Sequence, residues 1–299
     1  MSMKRKIRKS AGKNISNRKH SGKNIALAGI LVLGIVFGGY AIGNKYFHKS
    51  KPAVRYSYEY SHEDSVKKAR EFFNNFPDVF DRAVSVRKYN VNDARYCLVH
   101  IRDFHGMADN DERFGFRIDK KEKYQLEKKI NSVRALVQDD IYAILDRMIK
   151  QYGIRDGFCE GLSVEQENKM KAGFIRLKEI DLAIVKLYNE NRIKIHATET
   201  EEMDLERKAD ALRYIVSKIA QEEGYEPQLS EEDMSKYLDC SENDVLKILA
   251  NNSIPVKVFV YGGRHRFYNN IERWNRENPE QKYSMIEITP ESYELRNNL

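Results

Sequence analysis

The sequence predicts an α/β domain, a mainly parallel sheet flanked by helices, preceded by one N-terminal transmembrane helix. Three observations predict it. Five short apolar runs rich in β-formers recur between residues 95 and 289, helical stretches separate them, and residues 25–43 form a run of nineteen without a charge. Parallel strands can be joined only by long crossovers, so strands that alternate with helices of more than about ten residues point to βαβ units covered on both faces.

Charge divides the chain before any element is assigned. The formal net charge is +7, yet 13 of the 52 Lys and Arg residues lie in residues 1–55, which hold no Asp or Glu. Residues 56–299 therefore carry 39 basic against 45 acidic side chains, a net −6. A body of that sign lacks the dense cationic surface that gives affinity for a polyanion, so no nucleic-acid partner is expected. The cysteines Cys97, Cys159 and Cys240 are odd in number and lack the paired spacing of a zinc knuckle. Cys97 and Cys159 read as small apolar core residues.

In chain order, residues 1–24 are a basic cytoplasmic tail, 25–43 the membrane anchor, 44–60 a tether and 61–299 the α/β domain. The anchor reads IALAGILVLGIVFGGYAIG. It just spans a bilayer core, whereas the apolar region of a cleaved signal peptide runs about 7 to 15 residues, so an uncleaved signal-anchor is expected. Nine basic residues precede the run and four (Lys45, Lys49, Lys51, Arg55) follow it. The positive-inside bias then keeps the N-terminus in the cytoplasm and puts the domain on the extracytoplasmic side of a single-pass membrane protein. Gly34/Gly38 and Gly39/Gly43 have the spacing that lets two membrane helices approach closely, which would be the basis of a homodimer.

Within the body, Val66, Ala69, Phe72, Phe73 and Phe76 have helical spacing over 63–84, interrupted at Pro77. Strands follow at Arg95–Ile101 (RYCLVHI), Ile154–Cys159 (IRDGFC), Arg192–Ala197 (RIKIHA), Val256–Tyr261 (VKVFVY) and Tyr283–Thr289 (YSMIEIT). Helices are expected over 121–150 and 164–189. Residues 229–251 resemble a helix-turn-helix around Asp239-Cys240-Ser241, but the second helix opens on Glu242 and Asp244 with only Lys247 as a cation. That charge is wrong for reading DNA, and two packed helices are the expected form. Trp274, at helical spacing from Ile271, reads as a core anchor.

Open α/β sheets bind ligands beyond the carboxyl ends of their strands. The residues found there are Arg102, Asp103 and His105; Glu160 and Gly161; Glu199; and Gly262, Gly263 and His265. Two imidazoles and two carboxylates suit one divalent metal, Mn, Fe, Co or Zn, and such a metal makes a hydrolase by polarising a carbonyl. The competing reading is solvated loop side chains and helix caps, with Thr198 or Thr200 capping a helix in ATETEEMD. His100 reads as a hydrogen-bonded core histidine, Asp103 as a loop acid, and His196 ranks below His105 and His265 as a ligand.

Four segments carry a resemblance: YCLVHIRDFHG, IRDGFCEGL, NRIKIHATET and IPVKVFVYGGRHRFYNNIERWN. In that order they resemble the TraB/Tiki superfamily, which also includes ChaN-like haem-uptake proteins and erythromycin-esterase-like proteins. The likeness spans about residues 95–293, and the shared order rather than any single motif carries it. It implies an α/β domain whose His105, His265 and Glu160 hold the metal, with Glu160 alternatively the general base and Glu199 orienting or ligating. A peptide or an ester is the implied substrate; the alternative is a non-catalytic module for haem or a protein partner on the same fold. Two departures add positive charge. Arg102 replaces the first Gly of the Gly-x-x-His strand ending, and Arg266 follows His265 where an Asp is common; both are expected to bind substrate anions.

Overall fold

The computed structural model describes residues 60–104, 120–172, 182–203, 205, 242–263 and 265–299. The apolar run 25–43, His105 and the first helix of the 229–251 segment lie outside them. Among the described residues no helix is long and apolar enough to cross a membrane.

Helix α1 (His62–Asn75) starts where the Ser61 hydroxyl accepts from the Asp64 amide at 3.1 Å, and it buries Ala69, Phe72 and Phe73. It stops short of Pro77, because the residue before a proline leaves helical geometry; Phe76 is already extended with ψ 130°. The sequence expectation carried this helical region to Val84, but Ala83–Tyr89 is a strand, β1. Its residues are half-exposed in no clean alternation, and the signal that marks the inner strands is therefore missing.

The remaining elements follow the expected order. Strand β2 is Tyr96–Asp103, helix α2 Lys120–Tyr152, β3 Asp156–Ser163, α3 Val164–Lys171, α4 Ala183–Asn189 and β4 Lys194–Glu199. Helix α5 covers 242–250, β5 Val256–Gly262, α6 Phe267–Glu277 and β6 Tyr283–Pro290; a 3-10 turn, Glu291–Asn298, ends the chain. Ser163 and Gln166 form a reciprocal capping box at the start of α3, the Ser-x-x-Gln pattern that marks a helix N-terminus in the sequence.

These strands make one six-stranded sheet in the order β1-β6-β2-β5-β3-β4. Only β1, paired with β6, runs antiparallel. Inner strands read as unbroken apolar runs because both faces are covered. Cys97, Val99, Ile101, Val258, Val260, Ile286 and Ile288 face one way and pack with α1, α2 and α4. Tyr96, Leu98, Phe158, Phe259, Tyr261, Tyr283 and Met285 face the other way and pack with α5 and α6.

One topological feature places the site. The chain leaves β2 towards β3, beyond β5, whereas it leaves β5 towards β6, beyond β2. The two connections run on opposite faces of the sheet, α2 packing on one and α6 on the other, the arrangement in which open α/β sheets form a binding crevice beyond the carboxyl ends of the strands.

Candidate functional site

Glycines at two strand ends tie the crevice together. Gly161 sits in β3 with φ 77°, a left-handed conformation, at a break in the β3–β4 register between Cys159 and Ser163. Its amide donates to Glu199 Oε1 at 3.0 Å. Glu199 ends β4 and is buried. Glu160, beside Gly161, reaches across to β5, where its Oε2 accepts from the Gly262 amide at 2.7 Å. Both sequence-assigned glutamates are therefore oriented by backbone donors.

Asp103 is a buried carboxylate rather than a solvated loop acid. Its Oδ1 accepts from the Phe104 amide and from Gln138 Nε2, each at 2.6 Å, and Gln138 Oε1 in turn accepts from the Ala183 amide at 2.8 Å. Burial, and then the charges of Glu160, Asp103 and Glu199, push the Cys159 thiol up to about 12. A buried thiol shifted in that direction is inert, and Cys159 packs as a core residue rather than a nucleophile.

His265 lies past the Gly262–Gly263 turn, with Nδ1 3.1 Å from Glu242 Oε1 and its ring edge-on to Tyr261. Glu242 opens α5 and is buried; it also accepts from the Arg266 amide at 2.9 Å and from Asn270 Nδ2. The carboxylate that the sequence lacks at position 266 is thus supplied from a different helix, and it leaves Nε2 of His265 for other chemistry. No local pattern announces this pairing across 23 residues. The Arg266 side chain is exposed.

Arg102 turns inward. Nε donates to the Gly263 carbonyl at 3.1 Å, Nη2 donates to the same oxygen, and the guanidinium lies 4.7 Å from the Tyr293 ring centre. The Gly263 amide donates to the Asp103 carbonyl at 2.8 Å. Against Gly263 packs the phenol of Tyr293, so close that a β-carbon there would stand 1.9 Å from its hydroxyl oxygen. Gly263→Ala is accordingly expected to cost about 1–3 kcal/mol in urea unfolding. In a Tyr293→Leu background the same change should cost far less, and an equal cost in both would refute the contact as its cause.

The other sequence candidates fall elsewhere. His100 is fully buried in β2, its Nε2 3.2 Å from the Tyr261 carbonyl, and burial drives its pKa down to about 3. His196 is bound between Asp156 and Glu167 at 2.9 and 3.0 Å. Thr200 accepts from the Met203 amide at 3.2 Å, a helix cap, while the Thr198 hydroxyl donates to the Cys159 carbonyl at 3.0 Å. Trp274 is buried and its indole N–H donates to the Gln281 carbonyl at 2.9 Å.

Among the described residues, no three His, Cys, Asp or Glu side chains stand close enough to hold a metal ion. Compared with known proteins, the chain matches no family model, no curated protein and no solved structure.

Proposed function

We propose that the chain is a membrane-anchored hydrolase of the TraB/Tiki/ChaN type, acting on a peptide or ester bond at the carboxyl ends of β2, β3, β4 and β5. One observation carries the reading. Glu160 and His265 flank the same Gly262–Gly263 turn, and each is fixed by a second group, the Gly262 amide for Glu160 and the Glu242 carboxylate for His265. A carboxylate and an imidazole held in this way are the parts a general base and a ligand or acid require.

In this reading Glu160 takes the proton of the attacking water, His265 Nε2 faces the reacting group, and Glu199 keeps Gly161 and so β3 in place. A divalent ion would draw on His265 and Glu160, with His105 as the further ligand. The donors fit Zn, Mn, Fe or Co, because His265 already turns Nδ1 to the carboxylate partner that metal-binding imidazoles take. The chemistry such an ion supplies is polarisation of the scissile carbonyl. Arg102 and Arg266 belong to the substrate side of the crevice.

Two measurements test the reading. The full chain in non-ionic detergent, screened against peptides and esters with each divalent metal and with chelator, is expected to hydrolyse at least one class. Inactivity towards both classes under all those conditions would overturn it. Membranes from expressing cells should retain the chain through an alkaline carbonate wash, and release into the supernatant would remove residues 25–43 as an anchor.

A further inference from the structure

The C-terminal turn Glu291–Asn298 sets a second arginine against Tyr293, the ring that packs on Gly263. The turn is fixed at its start, where the Glu291 amide donates to the Arg82 carbonyl at 2.9 Å and the Ser292 amide to Asp140 Oδ2 at 2.8 Å. It then buries Tyr293 completely, with the phenol against Gly263. The Arg296 guanidinium lies 4.0 Å from the centre of that ring, and its Nη1 donates to the Tyr293 hydroxyl. Arg102 lies over the same ring at 4.7 Å.

Two guanidiniums sharing one aromatic ring repel each other, and neither can lose its proton. A folded protein normally sets a carboxylate between them. Here, among the described residues, no Asp or Glu oxygen comes within ion-pair distance of Arg102 or Arg296, although residues 56–299 hold 45 acidic side chains. Moreover, Arg296 Nε is buried with no hydrogen-bond acceptor, an unmet donor of the kind that native interiors rarely keep. The ring quadrupole and the Gly263 carbonyl offset only part of two full charges. An acceptor with negative charge is what the arrangement lacks.

We propose that Arg102 and Arg296, held over Tyr293, form a binding site for a small oxyanion, a carboxylate or phosphate group of the substrate. With Nε and Nη2 of Arg102 turned to the Gly263 carbonyl and Nη1 of Arg296 to the Tyr293 hydroxyl, the N–H groups left for such oxygens include Nη1 of Arg102 and Nε and Nη2 of Arg296. The same turn whose Gly263 carbonyl is held by Arg102 presents its Gly262 amide to Glu160. The assignment as a substrate site rests on the hydrolase reading, whereas anion binding itself does not.

The test uses the full chain in non-ionic detergent, with thermal unfolding followed as sodium phosphate or sodium acetate replaces sodium chloride at constant ionic strength. A saturable rise in Tm is expected with one or both anions. Saturation by phosphate alone assigns the site to phosphate groups; a response to acetate assigns it to carboxylates. Arg296→Gln and Arg102→Gln are each expected to weaken the apparent affinity at least tenfold, and the exposed Arg276→Gln to leave it unchanged. Arg296→Lys, which keeps the charge but loses the fork, should fall between and serves if the Gln variant does not fold. Absence of a rise beyond chloride, or an equal rise in the Arg102 and Arg296 variants, overturns the site. If anion binding persists in a chain without hydrolytic activity, the hydrolase reading fails and the site stands.

Discussion

If the chain is the hydrolase proposed, Glu160→Gln is expected to lower kcat by about 10²–10⁴-fold with little change in Tm. The Gln side chain keeps the length and one carbonyl oxygen, so the acceptor for the Gly262 amide survives and the Gly262–Gly263 turn stays where it is. What disappears is the negative charge that, in the proposed role of general base, takes a proton from water. A loss confined to kcat is the signature of a group acting in the transition state, whereas a rise in KM alone would describe a residue that merely binds. The pH profile separates the roles further. If Glu160 is the general base, the acidic limb of the kcat/KM profile belongs to it and should vanish in the variant. Retention of that limb with a small rate change would move the role to another carboxylate, with Asp103 and Glu199 as the buried neighbours.

Much of the fold was legible because the inner strands carry apolar residues on both faces, and the long crossovers between them have no other architecture to serve. Strand β1 escaped because an edge strand paired on one side and exposed on the other carries only a weak pattern. The positions of Glu160 and Glu199 followed from strand ends alone. Their orientation did not, since it depends on Gly161 adopting φ 77° and on the β3–β5 contact. Glu242 lay hidden inside what reads as a helix-turn-helix, where its charge speaks only against DNA. Arg296 and Tyr293 lay in a 3-10 turn with no periodicity to mark it. In each case the informative contact joins segments far apart in sequence, which local spacing cannot encode.

His196→Leu is expected to destabilise the chain by about 2–3 kcal/mol near pH 6, because it strips the shared partner from two carboxylates. The imidazole meets Asp156 of β3 through Nε2 and Glu167 of α3 through Nδ1, at 2.9 and 3.0 Å, and its ring packs against Phe158. Glu167 Oε2 accepts from the Ala197 amide at 2.7 Å and so closes the outer edge of β4. The three-residue bridge is thus what holds α3 to the sheet edge. Burial by itself would push the Glu167 carboxyl up, but bonds from His196, Lys171 and the Ala197 amide outweigh it and bring it down to about 2. For His196, burial would depress the pKa, and the bonds to Asp156 and Glu167 outweigh that and raise it. The signs then fix a window. Stability from the raised imidazole is complete below its ordinary value of 6.5 and is lost as pH rises through the folded value. Stability from the depressed carboxyl is complete above its ordinary value of 4.5 and is lost as pH falls towards about 2. The bridge is strongest between these two ordinary values, and the gap between wild type and His196→Leu should be widest there. Urea unfolding of the full chain in detergent at pH 5, 6 and 8.5 reads it directly: the gap narrows at the highest pH, and a gap independent of pH would show that packing against Phe158, not charge, holds α3 in place.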